Sequence, residues 1–289
     1  MKKLWYLTAI CLIVIGIAGA LQYDWKAGDK DLRDFEKEWT FSADDLRTLS
    51  VVSDYNVSMK FIKSEDGRNS IRLKGRGTEK MIEKAQGAEI ADRTLKLDLV
   101  RMPKRYINLF NFDFRNNKEE FVIAVTDDAM LDKLKIKVDS GNIDLTDAPT
   151  LSIKDADLST DSGNLKFNDF HSDTLNIKID SGNIKGGRLS TNLTASTDSG
   201  NITIENMTGQ ARISVDSGNV KLYKLDTSNA EIKTDSGNIY VQVPASFAGV
   251  YDLKVDSGRV RSPDSKHQTT DYVKVRTDSG NITIEEAGR

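Results

Sequence analysis

Apolar and polar residues alternate with a period of two through most of the chain, and one tripeptide punctuates the second half at regular intervals. Asp-Ser-Gly begins at Asp139, Asp161, Asp180, Asp198, Asp216, Asp235, Asp256 and Asp278. The intervals are 22, 19, 18, 18, 19, 21 and 22 residues; Asn follows Gly in seven units and Arg259 in the eighth. Each Asp is preceded by a β-branched residue: Val138, Thr160, Ile179, Thr197, Val215, Thr234, Val255 or Thr277. Two positions further back stand Ile136, Leu158, Ile177, Ala195, Ile213, Ile232, Leu253 and Val275. Four residues after each Asp come Ile143, Leu165, Ile184, Ile202, Val220, Ile239, Val260 and Ile282. Alternation on both sides of the motif predicts two half-buried strands with a bend between them. Gly takes a positive φ without steric cost, and Asp and Asn bond nearby backbone, so the bend leaves few polar groups bare.

A second corner is expected about nine residues after each Asp, where Ala148, Phe170, Leu189, Met207 and Leu225 supply another inward side chain. Each unit of 18–22 residues is then one coil. A lone coil cannot bury its apolar face, whereas coils stacked about 4.8 Å apart share a continuous core of Ile, Val and Leu. The predicted fold is all-β: a single-chain parallel β-solenoid (β-helix), right-handed favoured. Six residues after the Asp, Gly186 and Ser262 replace the usual large apolar residue, which predicts two looser or interrupted coils. The segment from Ser262 to Thr270 is the expected outward loop.

Residues 139–289 form the regular part, and a degraded version extends upstream. LSVVSDYNVSMKF reads as strand, bend at Ser53-Asp54-Tyr55-Asn56, strand, so the irregular part of the solenoid covers 49–138 and begins near Leu49. Within it, 75–118 reads as an insertion. TEKMIEKAQ suits a short helix, and Tyr106, Phe110, Phe112 and Phe114 lie in a run suited to a hairpin that caps the repeat core against a bare strand edge. Residues 22–48 form a charged connector in which Leu32, Phe35 and Trp39 recur at helical spacing.

The N-terminus is of another kind. Residues 1–3 carry two lysines, and residues 4–21 carry no charge. At about 1.5 Å per residue, a helix of that length spans roughly 27 Å, close to a hydrocarbon core of about 30 Å. Lys2 and Lys3 set the N-terminus in the cytoplasm and everything after residue 21 outside, as a single-pass cell-membrane protein. The length favours an uncleaved anchor over a signal peptide, while Ala18-Gly19-Ala20 offers a site for cleavage after Ala20. Cys11 follows the large Ile10, so it reads as an apolar residue of the span and not as a lipidation site.

Composition sharpens this picture mainly by exclusion. The chain has 2 His and 1 Cys in 289 residues, too few for a Cys/His zinc site, a Cys-His nucleophile pair or a disulfide framework. His171 and His267 fall in apparent loops at unrelated points of the repeat, as solvated surface residues. Lys and Arg number 41 against 44 Asp and Glu, which gives no reason to expect a nucleic acid partner. Within this near balance, residues 51–139 hold 18 basic against 15 acidic residues and 140–289 hold 16 against 21. The repeated Asp residues stand one per coil, so they read as architecture and not as the paired carboxylates of a polysaccharide-cleaving β-helix enzyme. Stacked at about 5 Å they would repel, and calcium would relieve this, but calcium-binding repeats also carry paired glycines and a second carboxylate per turn, both missing here. The alternative is that each Asp accepts hydrogen bonds from backbone amides of its own turn. The sequence thus nominates no catalytic, cofactor-binding or metal-binding residue and no cofactor.

An N-terminal membrane segment followed by degenerate strand-DSGN-strand repeats resembles the bacterial "putative adhesin" domain family of unknown function, over about residues 45–289. Within it, the architecture is similar to LiaG-type membrane proteins encoded beside a cell-envelope stress two-component system. The resemblance implies a β-solenoid outside the membrane, a link to envelope stress and no established enzymatic activity. The expected function is a membrane-anchored, non-catalytic binding or scaffold module. Its expected partners are the lipid bilayer, through residues 4–21, and another envelope or membrane protein or a cell-wall component. With only Met1, Lys2 and Lys3 in the cytoplasm, any signal would have to pass through another membrane protein.

Overall fold

The structure, a computed structural model, describes residues 32–100, 118–126, 130–147 and 152–288. The expected membrane span at 4–21, Cys11, Ala148 and the aromatic run from Tyr106 to Phe114 lie outside the described residues. Among the described residues, no helix is long and apolar enough to cross a membrane.

The fold is all-β, one solenoid-like sheet whose strands run through bends without leaving it. The elements are β1 (Arg33–Phe41), β2 (Thr48–Lys63), β3 (Asn69–Gly77), α1 (Glu79–Gly87), β4 (Thr94–Leu99), β5 (Lys118–Val125), β6 (Met130–Asp147), β7 (Ser152–Ser162), β8 (Leu165–Ser181) and β9 (Ile184–Ser199). They continue with β10 (Ile202–Thr208), β11 (Ala211–Ser217), β12 (Val220–Lys224), β13 (Ala230–Ser236), β14 (Ile239–Val243), β15 (Val250–Ser257), β16 (Val260–Arg261), β17 (Tyr272–Ser279) and β18 (Ile282–Glu286).

Each coil has two legs joined by the Asp-Ser-Gly bend. The legs before the bend form one parallel ladder, in the order β4, β2, β6, β7, β8, β9, β11, β13, β17, β15. The legs after it form a second, from β5 through β2, β6, β8, β9, β10, β12 and β14 to β18 and β16. Residues of one parity face inward, and the repeated Ile, Val and Leu of both legs meet in a single buried core.

The coils do not stack strictly in chain order. At the C-terminal end, β17–β18 lie between β13–β14 and β15–β16, so the unit of Asp278 is the penultimate rung and the earlier unit of Asp256 is the last. Polarity explains the exchange. Chain order would insert Ser262 between Val241 and Ile284, whereas the observed order pairs Val241 with Ile284 directly. It would also set Glu231 beside Asp252; instead Lys274 stands between them in register. A matching exchange occurs upstream, where β4 and β5 together build a rung outside β2.

Three expectations need correction. The connector reading of Leu32, Phe35 and Trp39 as a helix fails, because residues 33–41 are strand β1, antiparallel to β3. A spacing of four satisfies both periodicities, and here the pairing with β3 decided, burying Phe35 and Trp39. The coil of Gly186 is not loose: a Cβ there would lie 2.2 Å from Cε2 of Phe167 on the adjacent rung, so Gly186 is the space that the Phe167 ring fills. At the second corner, Phe170, Leu189 and Met207 are buried as expected, but Leu225 is 55% exposed and Lys224 takes the inward place, in register with Met207.

TEKMIEKAQ does contain a helix, α1, which packs with β1 at the N-terminal end of the stack. Met81 and Ala85 are buried there, and Trp39 Nε1 donates to the Ala88 carbonyl at 2.7 Å. The segment after Ser262 leaves the strands and folds back on the last rung, where Lys266 Nζ donates to the Phe247 carbonyl at 2.8 Å.

Candidate binding surface

The bends align into one edge of the solenoid, and their chemistry is set by backbone approach. Gly200 has φ 154° and Gly218 φ 151°, and a Cβ on Gly218 would lie 1.8 Å from the Gly200 carbonyl oxygen. Only glycine tolerates both the conformation and the contact. The next residue builds a polar ladder. Asn164 donates from its backbone N–H (2.9 Å) and from Nδ2 (3.2 Å) to Asn142 Oδ1. The same double contact recurs from Asn183 to Asn164, Asn201 to Asn183, Asn219 to Asn201, Asn238 to Asn219 and Asn281 to Asn238. Arg259 donates its backbone N–H to Asn281 Oδ1 at 3.1 Å and ends the ladder on the last rung. An acceptor side chain is needed only where another rung follows, which accounts for Arg in that unit alone.

The motif aspartates stand on the outside of this edge. Lysines two residues earlier lie beside three of them: Lys178 at 3.8 Å from Asp180, Lys233 at 3.4 Å from Asp235 and Lys254 at 3.5 Å from Asp256. These cations offset the repulsion between stacked carboxylates. No group of three or more His, Cys, Asp or Glu able to hold a metal ion occurs among the described residues.

The two flat faces carry outward side chains of mixed charge. On the face before the bend, Arg212 and Lys274 flank Glu231 at 3.5 and 2.9 Å, and Arg276 Nη2 donates to Asp252 at 2.5 Å. A shallow hollow of about 290 Å³ on this face is rimmed by Lys135, Lys137 and Lys178, with Ser159, Asn176 and Thr194 between them. On the opposite face Tyr223 and Tyr240 pack at 5.3 Å, and the Tyr240 hydroxyl donates to Glu285 at 2.9 Å. Burial, then this carboxylate, pushes the Tyr240 phenol up.

One buried charge lies at the second corner. The Lys224 side chain is 1% exposed, and its ammonium donates to the Gly209 carbonyl, to Ser228 Oγ at 2.6 Å and sits 2.8 Å from Asp226 Oδ1. Burial pushes the Lys224 pKa down against the opposing pull of Asp226. Burial also opposes ionisation of Asp226, but Lys224 and the Gly209 N–H outweigh it and hold the carboxyl below its ordinary value. The sequence reading missed this pair, yet parity shows it: Val220 and Leu222 point inward, so Lys224 must follow.

The two histidines are not brought together. His171 lies within β8, not in a loop, half-buried with Nε2 at 3.0 Å from Asp169 Oδ1, while Arg188 holds the other carboxylate oxygen at 3.2 Å. His267 is exposed in the excursion at φ 54°.

This repeat belongs to a recognised class: the chain is a member of the Toastrack DUF4097 family, whose match covers residues 47–285. No curated protein matches it. Among solved structures, a "putative adhesin" from Bacteroides fragilis is similar at 14% identity, covering 87% of this chain and 97% of that one with a TM-score of 0.39. A "putative lipid binding protein" from Parabacteroides distasonis is 12% identical, with 90% and 98% covered and a TM-score of 0.37. A "putative adhesin" from Parabacteroides merdae is 13% identical, with 90% and 98% covered and a TM-score of 0.30.

Proposed function

We propose that the chain is a membrane-anchored, extracytoplasmic binding module of the bacterial envelope, adhesin-like and non-catalytic, linked to the envelope stress response in the manner of LiaG-type proteins. The observation that carries this reading is the single uninterrupted core: apolar side chains are spent on rung stacking, and polar ones project from two flat faces. Ten rungs at about 4.8 Å hold those faces along a rod of roughly 43 Å. Leu4 to Leu21, preceded by Lys2 and Lys3, supports the tether. Partner recognition then falls to the exposed faces, on another envelope protein or a cell-wall component.

Protease shaving of intact cells expressing the full chain tests the topology. The repeat domain should be cut only from outside, with the N-terminal peptide retained in the membrane fraction. Full protection until the cells are broken would overturn the reading. Crosslinking in intact cells should capture an envelope component, and release of reducing ends from cell-wall polysaccharide by the pure protein would replace binding with catalysis.

A further inference from the structure

We propose that the C-terminal end of the solenoid docks a second copy of this chain, antiparallel along the open side of β15. The two ends of the stack are finished differently. At the N-terminal end α1 packs over Phe35 and Trp39, and the edge strand β1 presents Glu36, Lys37 and Glu38. The outward row of β1, Asp34, Glu36 and Glu38, is of one sign, so an antiparallel copy would set like charges opposite one another.

At the other end the excursion after Ser262 covers only the start of β15, where the His267 N–H donates to the Gly249 carbonyl at 3.3 Å and the Gln268 N–H to the Ala248 carbonyl at 2.8 Å. One side of β15 bonds β17, and no strand among the described residues pairs with its other side. The Val250 N–H donates to the Asp271 carbonyl, toward β17, so the alternation of a parallel ladder turns the N–H and C=O groups of Tyr251, Leu253 and Val255 to the open side. The Tyr251 N–H meets Ser265 Oγ there at 2.8 Å, which leaves Leu253 and Val255 as the pairing stretch. The inward side chains tell the same story. Ile232 and Val275 on the rungs beneath are fully buried, whereas Tyr251, Leu253 and Val255 are half-buried and Val260 is 44% exposed.

The occupant follows from charge. The outward row of β15 reads Asp252, Lys254, Asp256. In an antiparallel pair, a two-fold axis at Leu253 sets Asp252 against Lys254 of the second copy, and an axis at Val255 sets Lys254 against Asp256. Within the stretch from Leu253 to Val255, only the axis at Lys254 opposes like charges. The strand is thus complementary to itself, as a two-fold interface requires, and opposite-charge cross-strand pairs favour it. Because the N-terminal end is capped, the contact closes at two copies and builds no filament.

Sedimentation of the full chain in detergent micelles tests this. The protein should weigh as a dimer, and Lys254→Glu, which makes the row wholly negative, should weaken association at least tenfold. The variant Asp252→Lys/Asp256→Lys, wholly positive, should also be monomeric. An equimolar mixture of the two variants should restore the dimer as a heterodimer, a result that requires both to be folded. A wild-type monomer at all concentrations, or a Lys254→Glu dimer of undiminished strength, overturns the proposal.

Discussion

Substituting Gly186 by Ala places a methyl group where the ring of Phe167 already lies. The new Cβ would sit 2.2 Å from Cε2 and 2.9 Å from Cζ of Phe167, and 3.0 Å from Cδ1 of Ile204, where ordinary contact begins near 3.4 Å. The ring must withdraw by about 1 Å in a core packed at a density of about 0.75, and overpacking of this sort costs about 1–3 kcal/mol. Phe167→Leu alone should cost about 2 kcal/mol, on a scale of about 0.8 kcal/mol per buried carbon group. Combined, the two changes compensate, because the alanine methyl occupies space the smaller side chain vacates. The double variant should lose only about 1–2 kcal/mol where the separate losses sum to about 4. Urea unfolding followed by far-UV circular dichroism measures all four corners of the cycle. If the separate losses add in the double variant within about 0.5 kcal/mol, Phe167 and Gly186 do not share a layer and the register of these rungs is wrong.

Three further outcomes are expected. Asp226→Asn removes the counter-charge of a buried ammonium and should cost about 3 kcal/mol at pH 7. A lysine whose folded pKa is depressed gains stability as pH rises through that pKa toward the unfolded value of 10.5, so the penalty should shrink on going from pH 7 to pH 10; a constant penalty in thermal melts would contradict a charged Lys224. Asn219→Ala deprives Asn238 of the oxygen it bonds twice and should destabilise by about 0.5–1.5 kcal/mol, whereas Arg259→Ala, beyond which no rung follows among the described residues, should change the urea midpoint little. Exchanging the charges of Glu231 and Lys274 should recover part of the stability lost by either reversal alone, since the contact at 2.9 Å is kept with opposite sense while Arg212 and Asp252 then face like charges; no coupling in a double-mutant cycle would place these residues on rungs that do not touch.

The repeat made most of the fold legible. Period-two alternation around a Gly-containing bend fixed which residues face inward, and in the regular part Ile177, Ile213 and Ile232 occupy buried positions as that parity requires. The candidate surface was legible only in outline. Its outward residues followed from parity, but their neighbours depended on which rung lies beside which. At the second corner a count of nine residues from Asp216 points to Leu225, whereas parity with Val220 and Leu222 places Lys224 inside. For Phe35 and Trp39 a spacing of four fits a helix and a strand equally, and only the partner β3 breaks that tie.

The sequence by itself determined the coil: its length, its bend and its apolar faces. Those properties are local, set by backbone preference and side-chain alternation within about twenty residues. Tertiary structure alone decided the order of the coils. Any coil can stack on any other, so order follows from differences between whole rungs: which one loses least by exposing a face, and which neighbours leave Glu231 beside Lys274 instead of Asp252. That comparison spans the last three units at once, and it sends the most polar of them to the open end.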